Sequence, residues 1–189
     1  MGQDCGGITK ATCYATSRDG IHWEKPALDV VAGTNTVQPD RRDSVTVWLD
    51  SDTKDPKSRF KMTRYWNRVL HLYASPDGIH WTGLGPSGPT GDRTTIFYNP
   101  FRKVWVYGIR ADRKDLGRIR SYRENADFIA GAHWKAGEPL EWVGASTHDA
   151  AELQKAAALG CDFAVLGPVK PTPSHPGPPA LGWPAWRAL

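Results

Sequence analysis

The chain has 189 residues, 40% of them hydrophobic, nine tryptophans and a net charge of +4. This length allows one domain or two small ones, and the tryptophans supply large side chains for a core. Lysines and arginines are scattered among acidic residues, so the charge predicts no nucleic-acid partner. No basic leader with an apolar run is visible, and no stretch approaches the ~18 apolar residues of a membrane span. We therefore expect a cytoplasmic protein with no membrane partner.

The cysteine content argues against a metal or redox centre. Cys5, Cys13 and Cys161 are too few and too unevenly spaced for a disulfide framework, and no CxxC pair indicates zinc. We expect free or buried thiols, no metal and no cofactor. The first strand signal comes only a few residues after Met1, which suggests that an upstream part of a larger domain is missing.

A seven-residue pattern occurs at residues 17–23 and returns, 58 residues later, at residues 75–81. Each copy follows a strand-like run and contains Asp-Gly, which predicts the tight turn of a β-hairpin. The tryptophan that ends each copy is expected to face the core between neighbouring sheets. A degenerate third copy is suspected at residues 122–127, followed by Trp134.

Short runs of β-branched and aromatic residues, bounded by turn residues, predict most of the remaining structure to be strands. These runs cover residues 13–16, 44–49, 60–65, 70–74, 94–98 and 104–109. Four strands for each repeat of that length are typical of a large propeller blade.

The pattern changes after Trp142. Residues 148–160 predict a helix, which Thr147 or Asp149 can cap and Gly160 can end. Strands are predicted on both sides of it, at 140–143 and 163–167, and the second is apolar enough for a parallel strand covered on both faces. From Lys170 the chain is rich in proline and glycine and is expected to be irregular.

We therefore predict a mainly β fold with two parts. Residues 1–143 are expected to form a partial β-propeller of about two and a half blades. Residues 144–189 are expected to form a short β-α-β segment from a TIM-barrel-like fold, with a Pro/Gly-rich tail.

The first part resembles the five-bladed β-propeller glycoside hydrolases, the group of invertase-like and arabinanase-like enzymes. The resemblance rests on residues 14–26, 42–44, 91–95 and 98–102. It implies carboxylates placed around a central funnel, since glycosidic hydrolysis needs one group as acid and another as nucleophile or base. Two and a half blades cannot close a five-bladed ring, so the resemblance also implies an incomplete site and self-association through open edges.

Particular residues follow from that resemblance. Asp43 and Asp92 stand at the catalytic carboxylate positions, before neighbouring inner strands. The substrate-binding positions are Arg42, Arg93 and Arg110. A sugar-binding surface would also expose tryptophans as stacking platforms, from among Trp48, Trp66 and Trp105. The alternative for both aspartates is a turn cap, because Asp before a strand often bonds its own backbone amides. Asp19 and Asp77 lie in the repeated turn, where a structural role is expected.

The second part resembles the late part of a thiamine phosphate synthase barrel, especially the related barrel appended to some Nudix hydrolases. The matching residues are 144–148, 160–163, 167–169, 171–175 and Gly182. In that family, hydroxyls and amides at the ends of late strands hold the pyrophosphate of the substrate. The family's metal-binding aspartates come from its first strands, which propeller-like sequence replaces in this chain.

Carried over by position, the resemblance implies a phosphate site. Ser146, Thr172 and Ser174 keep the family's hydroxyls, whereas His175 replaces a lysine and removes a fixed positive charge. The alternative is that these are inert loop hydroxyls.

Three functional hypotheses remain open from sequence. The chain is a glycosidase-like propeller fragment with a carbohydrate ligand, a thiamine phosphate synthase-like fragment with a phosphate ligand, or a chimeric reading frame without enzymatic activity. Whether it is an enzyme stays undecided at this point.

Overall fold

The computed structural model describes residues 10–115, 117–135, 138, 142–171 and 180–188. The strands are β1 (Thr12–Cys13), β2 (Thr36–Gln38), β3 (Ser44–Leu49), β4 (Phe60–Trp66), β5 (Val69–Ser75), β6 (Thr82–Pro89), β7 (Thr95–Asn99), β8 (Val104–Arg113), β9 (Gly117–Asn125), β10 (Trp142–Thr147) and β11 (Phe163–Leu166). The helices are α1 (Phe128–Ala132), α2 (Ala150–Ala158) and α3 (Gly182–Arg187), with a 3₁₀ turn at Pro56–Ser58. The described part is mainly β, as predicted.

Two sheets contain nearly all of the described strands. One has the order β3-β4-β5-β6, and the other has the order β11-β10-β9-β8-β7. All neighbours in them are antiparallel except β10 and β11, which are parallel. The first strands of the two sheets, β3 and β7, lie beside each other. Consecutive antiparallel sheets are compatible with propeller blades but also occur in other β folds, so the propeller stays a prediction.

The predicted β-α-β segment forms, but its first strand is Trp142–Thr147 instead of 140–143 and its helix is shorter than 148–160. Helix α2 begins after Asp149, whose side chain accepts a hydrogen bond from the Glu152 amide, and Gly160 follows it with a positive φ of 74°. Strands β10 and β11 pair in parallel from Gly144 opposite Phe163 to Thr147 opposite Leu166. Ala156 of α2 is buried, as expected for a crossover helix that packs on the strands it connects.

The sheet does not stop between the two predicted parts. Strand β10 pairs with β9 as well as with β11, with Trp142 opposite Tyr122 and Ala145 opposite Ile119. The thiamine phosphate synthase-like segment therefore continues a sheet that begins at β7. One hydrogen-bonded sheet spans residue 143 and does not separate two domains there. The boundary near that residue therefore stays a prediction.

The repeated turn has the same hydrogen bonds in both copies. Ser17 and Ser75 each accept from the amides two and three residues later, and Asp19 and Asp77 do the same for the amides that follow them. The third copy keeps this pattern with Asn125 accepting from Asp127, which caps α1 instead of closing a hairpin.

The expected core position of the repeat tryptophans is wrong for Trp23. Its side chain is largely solvent-exposed, with a relative accessible area of 59%. Its indole N–H donates to the Gly20 carbonyl at 3.1 Å, and Trp81 makes the same bond to Gly78. The indole closes its own turn, so the pattern specifies a local structure and not a contact between sheets.

The core lies between the two sheets and is mainly aromatic. It contains Leu70, Leu72, Ile96, Trp105, Tyr107, Ile109, Phe128, Ala132 and Trp134. The Trp105 ring packs against Phe128 with centroids 4.8 Å apart, and the Tyr107 hydroxyl donates to the Phe128 carbonyl at 2.6 Å. Burial raises the pKa of Tyr107 above its usual range. Helix α1 therefore contributes the Phe128 ring and the Phe128 carbonyl acceptor to this core.

Trp134 is held where the two sheets meet. Its indole N–H donates to the Pro89 carbonyl at 2.8 Å, and the ring lies against Gly88 of β6. A Cβ atom at Gly88 would lie 2.1 Å from the Trp134 carbonyl oxygen and 2.4 Å from the indole ring. Only glycine permits this approach.

We predict that Gly88→Ala destabilises the fold by about 1–3 kcal/mol, because the added methyl group would displace Trp134 from its contact with β6. The matched control is Gly83→Ala in the same strand, where the new Cβ would meet Tyr73 at an ordinary 3.9 Å. Urea unfolding followed by tryptophan fluorescence measures both variants. Equal midpoints for Gly88→Ala and Gly83→Ala would contradict the prediction.

Candidate functional site

The predicted carboxylates lie before the first strand of each sheet. Asp43 is exposed and directly precedes β3, and its amide donates to the Tyr65 carbonyl at 3.1 Å. The neighbouring Arg42 donates to the Thr12 hydroxyl at 3.1 Å, across to β1. Asp43 and Arg42 thus serve local connections in the structure, and their proposed role in sugar binding stays a prediction.

Asp92 and Arg110 are brought together. The Arg110 guanidinium lies 3.4 Å from Asp92 and 3.0 Å from Asp112, and Gly91 makes room for it, since a Cβ there would meet Arg110 at 2.1 Å. The Arg93 carbonyl accepts a hydrogen bond from Arg120 at 2.8 Å. The guanidinium of Arg110 is therefore used to hold two carboxylates of the protein itself.

The tryptophans expected as sugar platforms are covered. Trp105 is buried in the core, with 3% of its surface exposed. Trp48 packs against the same core, and Trp66 lies under the guanidinium of Arg41, 4.7 Å from the ring centroid. This burial weakens the glycan-binding interpretation of the first part.

The carboxyl ends of β10 and β11 form the second candidate site. Ser146 is exposed near the end of β10, whereas the neighbouring Thr147 is buried and donates to the Val165 carbonyl at 3.3 Å. The Gly167 amide donates back to Thr147 at 3.0 Å, so the two strand ends stay side by side. Parallel pairing therefore places Ser146 next to the segment that follows β11.

That segment returns to the same edge of the sheet. The amides of Leu181 and Gly182 donate to the carbonyls of Pro168 and Val169 at 3.0 and 2.9 Å. The predicted phosphate-binding residues Thr172, Ser174 and His175 lie between these bonded ends and outside the described residues. Their loop is thus closed at its base beside the end of β10.

The N-terminus of α2 is already occupied by carboxylates. Asp149 accepts from the Glu152 amide at 2.8 Å, and Glu152 accepts from the amide and the ring of His148 at 2.7 and 2.9 Å. This reciprocal arrangement provides an acceptor for the Glu152 amide of the first helical turn and places negative charge there. These carboxylates would repel a phosphate group from this helix end.

Comparison with known proteins supports one of the two resemblances. A family model described as thiamine monophosphate synthase matches residues 131–189. The match covers under a third of the chain and starts at the end of α1, upstream of the predicted boundary. No curated protein and no solved structure matches the chain. The thiamine phosphate synthase-like segment is thereby supported, and nothing supports the glycoside hydrolase resemblance of the first part.

A cleft of about 430 Å³ lies at the ends of β3 and β7 opposite to Asp43 and Asp92. Lys61 and Asp50 form an ion pair of 3.2 Å at its base, with both side chains over nine-tenths buried. The Tyr98 hydroxyl donates to Asp52 at 2.9 Å, and desolvation and this carboxylate raise the pKa of Tyr98. In the sequence, the signal of this cleft is the cluster of aspartates at residues 50–55.

This cleft is explained by structural contacts. Asp55 caps the 3₁₀ turn by accepting from the Lys57 amide, and Asp127 caps α1. Lys61 neutralises Asp50, which also accepts from the Asp52 amide at 3.3 Å. The carboxylates around the cleft are therefore engaged by the protein.

The repeated turns perturb the pKa values of their own charged side chains. Burial raises the pKa of Asp77, but hydrogen bonds from His80 and the turn amides outweigh it and hold that pKa well below its usual range. The Asp77 and Asp29 carboxylates raise the pKa of His80, at contact distances of 2.7 and 3.0 Å. His80 therefore fastens the second repeat turn to the loop that carries Asp29.

Metal ligation finds no support among the described residues, where no group of three or more His, Cys, Asp or Glu side chains comes together. Cys161 is a free thiol, as expected, whereas Cys13 is disulfide-bonded, contrary to expectation. In the same part of the chain, no helix has the length and apolar character to cross a membrane.

We predict that Asp29→Asn lowers the pKa of His80 towards its usual value of about 6.5, because one of its two carboxylate partners loses its charge. Since the folded-state pKa is raised, the stabilisation by this pair is present below about pH 6.5 and disappears as pH rises through the higher folded value. A pH titration of the imidazole resonances by NMR measures the pKa of His80 in both proteins. His22 of the first copy, which pairs with Asp19, is the internal reference. An unchanged His80 titration would contradict the prediction.

Proposed function

We propose that the segment from residue 131 onward binds a phosphate ester or pyrophosphate at the carboxyl edge of β10 and β11. The observation that carries the proposal is the parallel pairing of these strands, which sets exposed Ser146 beside the base of the 168–182 loop. The family match to thiamine monophosphate synthase over the same segment supports it independently.

The chemistry of this edge suits an anion. A serine hydroxyl and loop amides donate to phosphate oxygens, and the carboxyl ends of parallel strands are where α/β proteins collect such donors. Lys170 is exposed at the start of the loop and supplies a positive charge next to the strand ends. His175 adds a second charge when it is protonated.

The proposal is limited to binding. A TIM barrel closes with eight parallel strands, and the strands from β3 to β9 that precede this segment are antiparallel. They therefore do not take the place of the barrel strands that carry the rest of a synthase site. The glycosidase-like and chimeric interpretations remain as alternatives to it.

We predict that Ser146→Ala weakens pyrophosphate binding roughly ten- to hundredfold, the effect of losing one hydrogen bond to a charged group, about 1.5–3 kcal/mol. Isothermal titration of the purified chain with sodium pyrophosphate measures the affinity. The matched control is Ser44→Ala in β3, a serine of the other sheet, which should bind like the unmodified chain.

Two results would overturn this prediction. If the unmodified chain shows no pyrophosphate binding, the phosphate site does not exist. If Ser146→Ala and Ser44→Ala bind equally well, the ligand sits elsewhere. Thiamine phosphate, titrated in parallel, shows whether an organic substituent on the phosphate adds affinity.

We predict that His175→Lys tightens pyrophosphate binding by roughly tenfold at pH 8, where histidine is neutral, and much less at pH 6. The comparison is made between the two proteins at each pH, so that the titration of pyrophosphate itself cancels. Equal affinities at pH 8 would mean that residue 175 does not approach the phosphate group.

A further inference from the structure

A groove of about 440 Å³ opens on the face of the sheet formed by β9, β10 and β11. It is lined by Arg102, Tyr122, Glu124, Trp142 and Phe163. Trp142 and Phe163 are among the exposed large apolar side chains of the protein, at 52% and 45% exposure. Arg102 comes from the turn between β7 and β8. The groove therefore combines residues from both sides of the predicted boundary.

Strand register brings the aromatic residues together. Trp142 lies opposite Tyr122 across the β9–β10 pair, and Gly144 lies opposite Phe163 across the β10–β11 pair. A Cβ atom at Gly144 would be 2.3 Å from the Phe163 ring, so this ring lies directly over the glycine. Side chains two residues apart on a strand share a face, so Trp142 lies on the same face of the sheet as Gly144 and the Phe163 ring that covers it.

The polar wall of the groove is a fixed carboxylate. The side chain of Glu124 is nine-tenths buried and pairs with Arg102 at 2.6 Å. The Tyr122 hydroxyl donates to its other oxygen. A carboxylate offers about four acceptor sites and a guanidinium five N–H donors, so both groups have capacity for a ligand beyond these contacts. The lining pair carries no net charge.

We propose that this groove binds an uncharged saccharide ring. A sugar presents C–H groups on one face, which pack against an exposed indole such as Trp142, and hydroxyls around its edge. One sugar hydroxyl donates to the Glu124 carboxylate, and a neighbouring hydroxyl accepts from the Arg102 guanidinium. An uncharged ligand can therefore form hydrogen bonds with both members of the ion pair.

The proposal is independent of the phosphate site. Trp142 is the first residue of β10 and Ser146 is near its end, about 13 Å along the strand at the usual rise per residue. It is also independent of Asp43 and Asp92, which precede the first strands of the two sheets and do not line this groove.

Saturation-transfer NMR on the full chain tests it, with methyl β-glucopyranoside and methyl β-galactopyranoside as probes. We expect transfer to the ring protons of at least one glycoside, and a loss of affinity of tenfold or more in Trp142→Ala. Trp183→Ala, which removes an indole of similar exposure on α3, is the matched control and should bind unchanged. Circular dichroism establishes that both variants keep the fold.

Glu124→Gln separates the polar contribution from stacking and should weaken binding several-fold while Trp142 remains in place. Two outcomes overturn the proposal. They are no transfer to either glycoside, or equal losses of affinity in Trp142→Ala and Trp183→Ala.

Discussion

The pairing of β9 with β10 is the interaction on which the rest of the structure depends. A β-α-β unit of two short parallel strands and one helix buries little apolar surface and is not stable alone. Through Trp142 opposite Tyr122 and Ala145 opposite Ile119, it becomes the edge of a five-stranded sheet. The segment similar to thiamine monophosphate synthase thereby obtains the support that its own barrel would otherwise provide.

The same pairing leaves an apolar face open. On one side of β10 and β11, α2 covers the sheet and buries Ala145, Thr147 and Ala156. On the other side, Phe163 and Val165 remain largely exposed, at 45% and 63%. In a complete barrel both faces of such strands are covered, which is why their sequence reads as continuously apolar. The exposed aromatic groove is thus a consequence of placing two parallel strands with apolar residues at the edge of an antiparallel sheet.

Much of the local structure was predictable from sequence. The helix α2 with its Asp149 cap and the Ser-x-Asp-Gly turns follow from short patterns whose hydrogen bonds stay within a few residues, and strand β3 follows from its run of β-branched residues. Strand β9 was missed because its arginines and Glu124 obscure the apolar alternation. Helix α1 was missed because five residues give too short a period. The exposure of Trp23 depends on which neighbours pack nearby, which a local pattern does not contain.

The candidate sites also divide into a part that a local sequence motif predicts and a part that depends on contacts between distant residues. Ser146 was predictable because a family motif marks it, and the structure adds only that the loop closes beside it. The groove at Trp142 was not predictable, since Arg102, Glu124 and Phe163 are far apart in sequence and meet only through two strand registers, one antiparallel and one parallel. A shift of one residue in either register would turn Trp142 or Phe163 to the opposite face. The groove therefore exists only if β9, β10 and β11 pair as one sheet, and it reports on that pairing more directly than the carboxyl ends of β10 and β11 do.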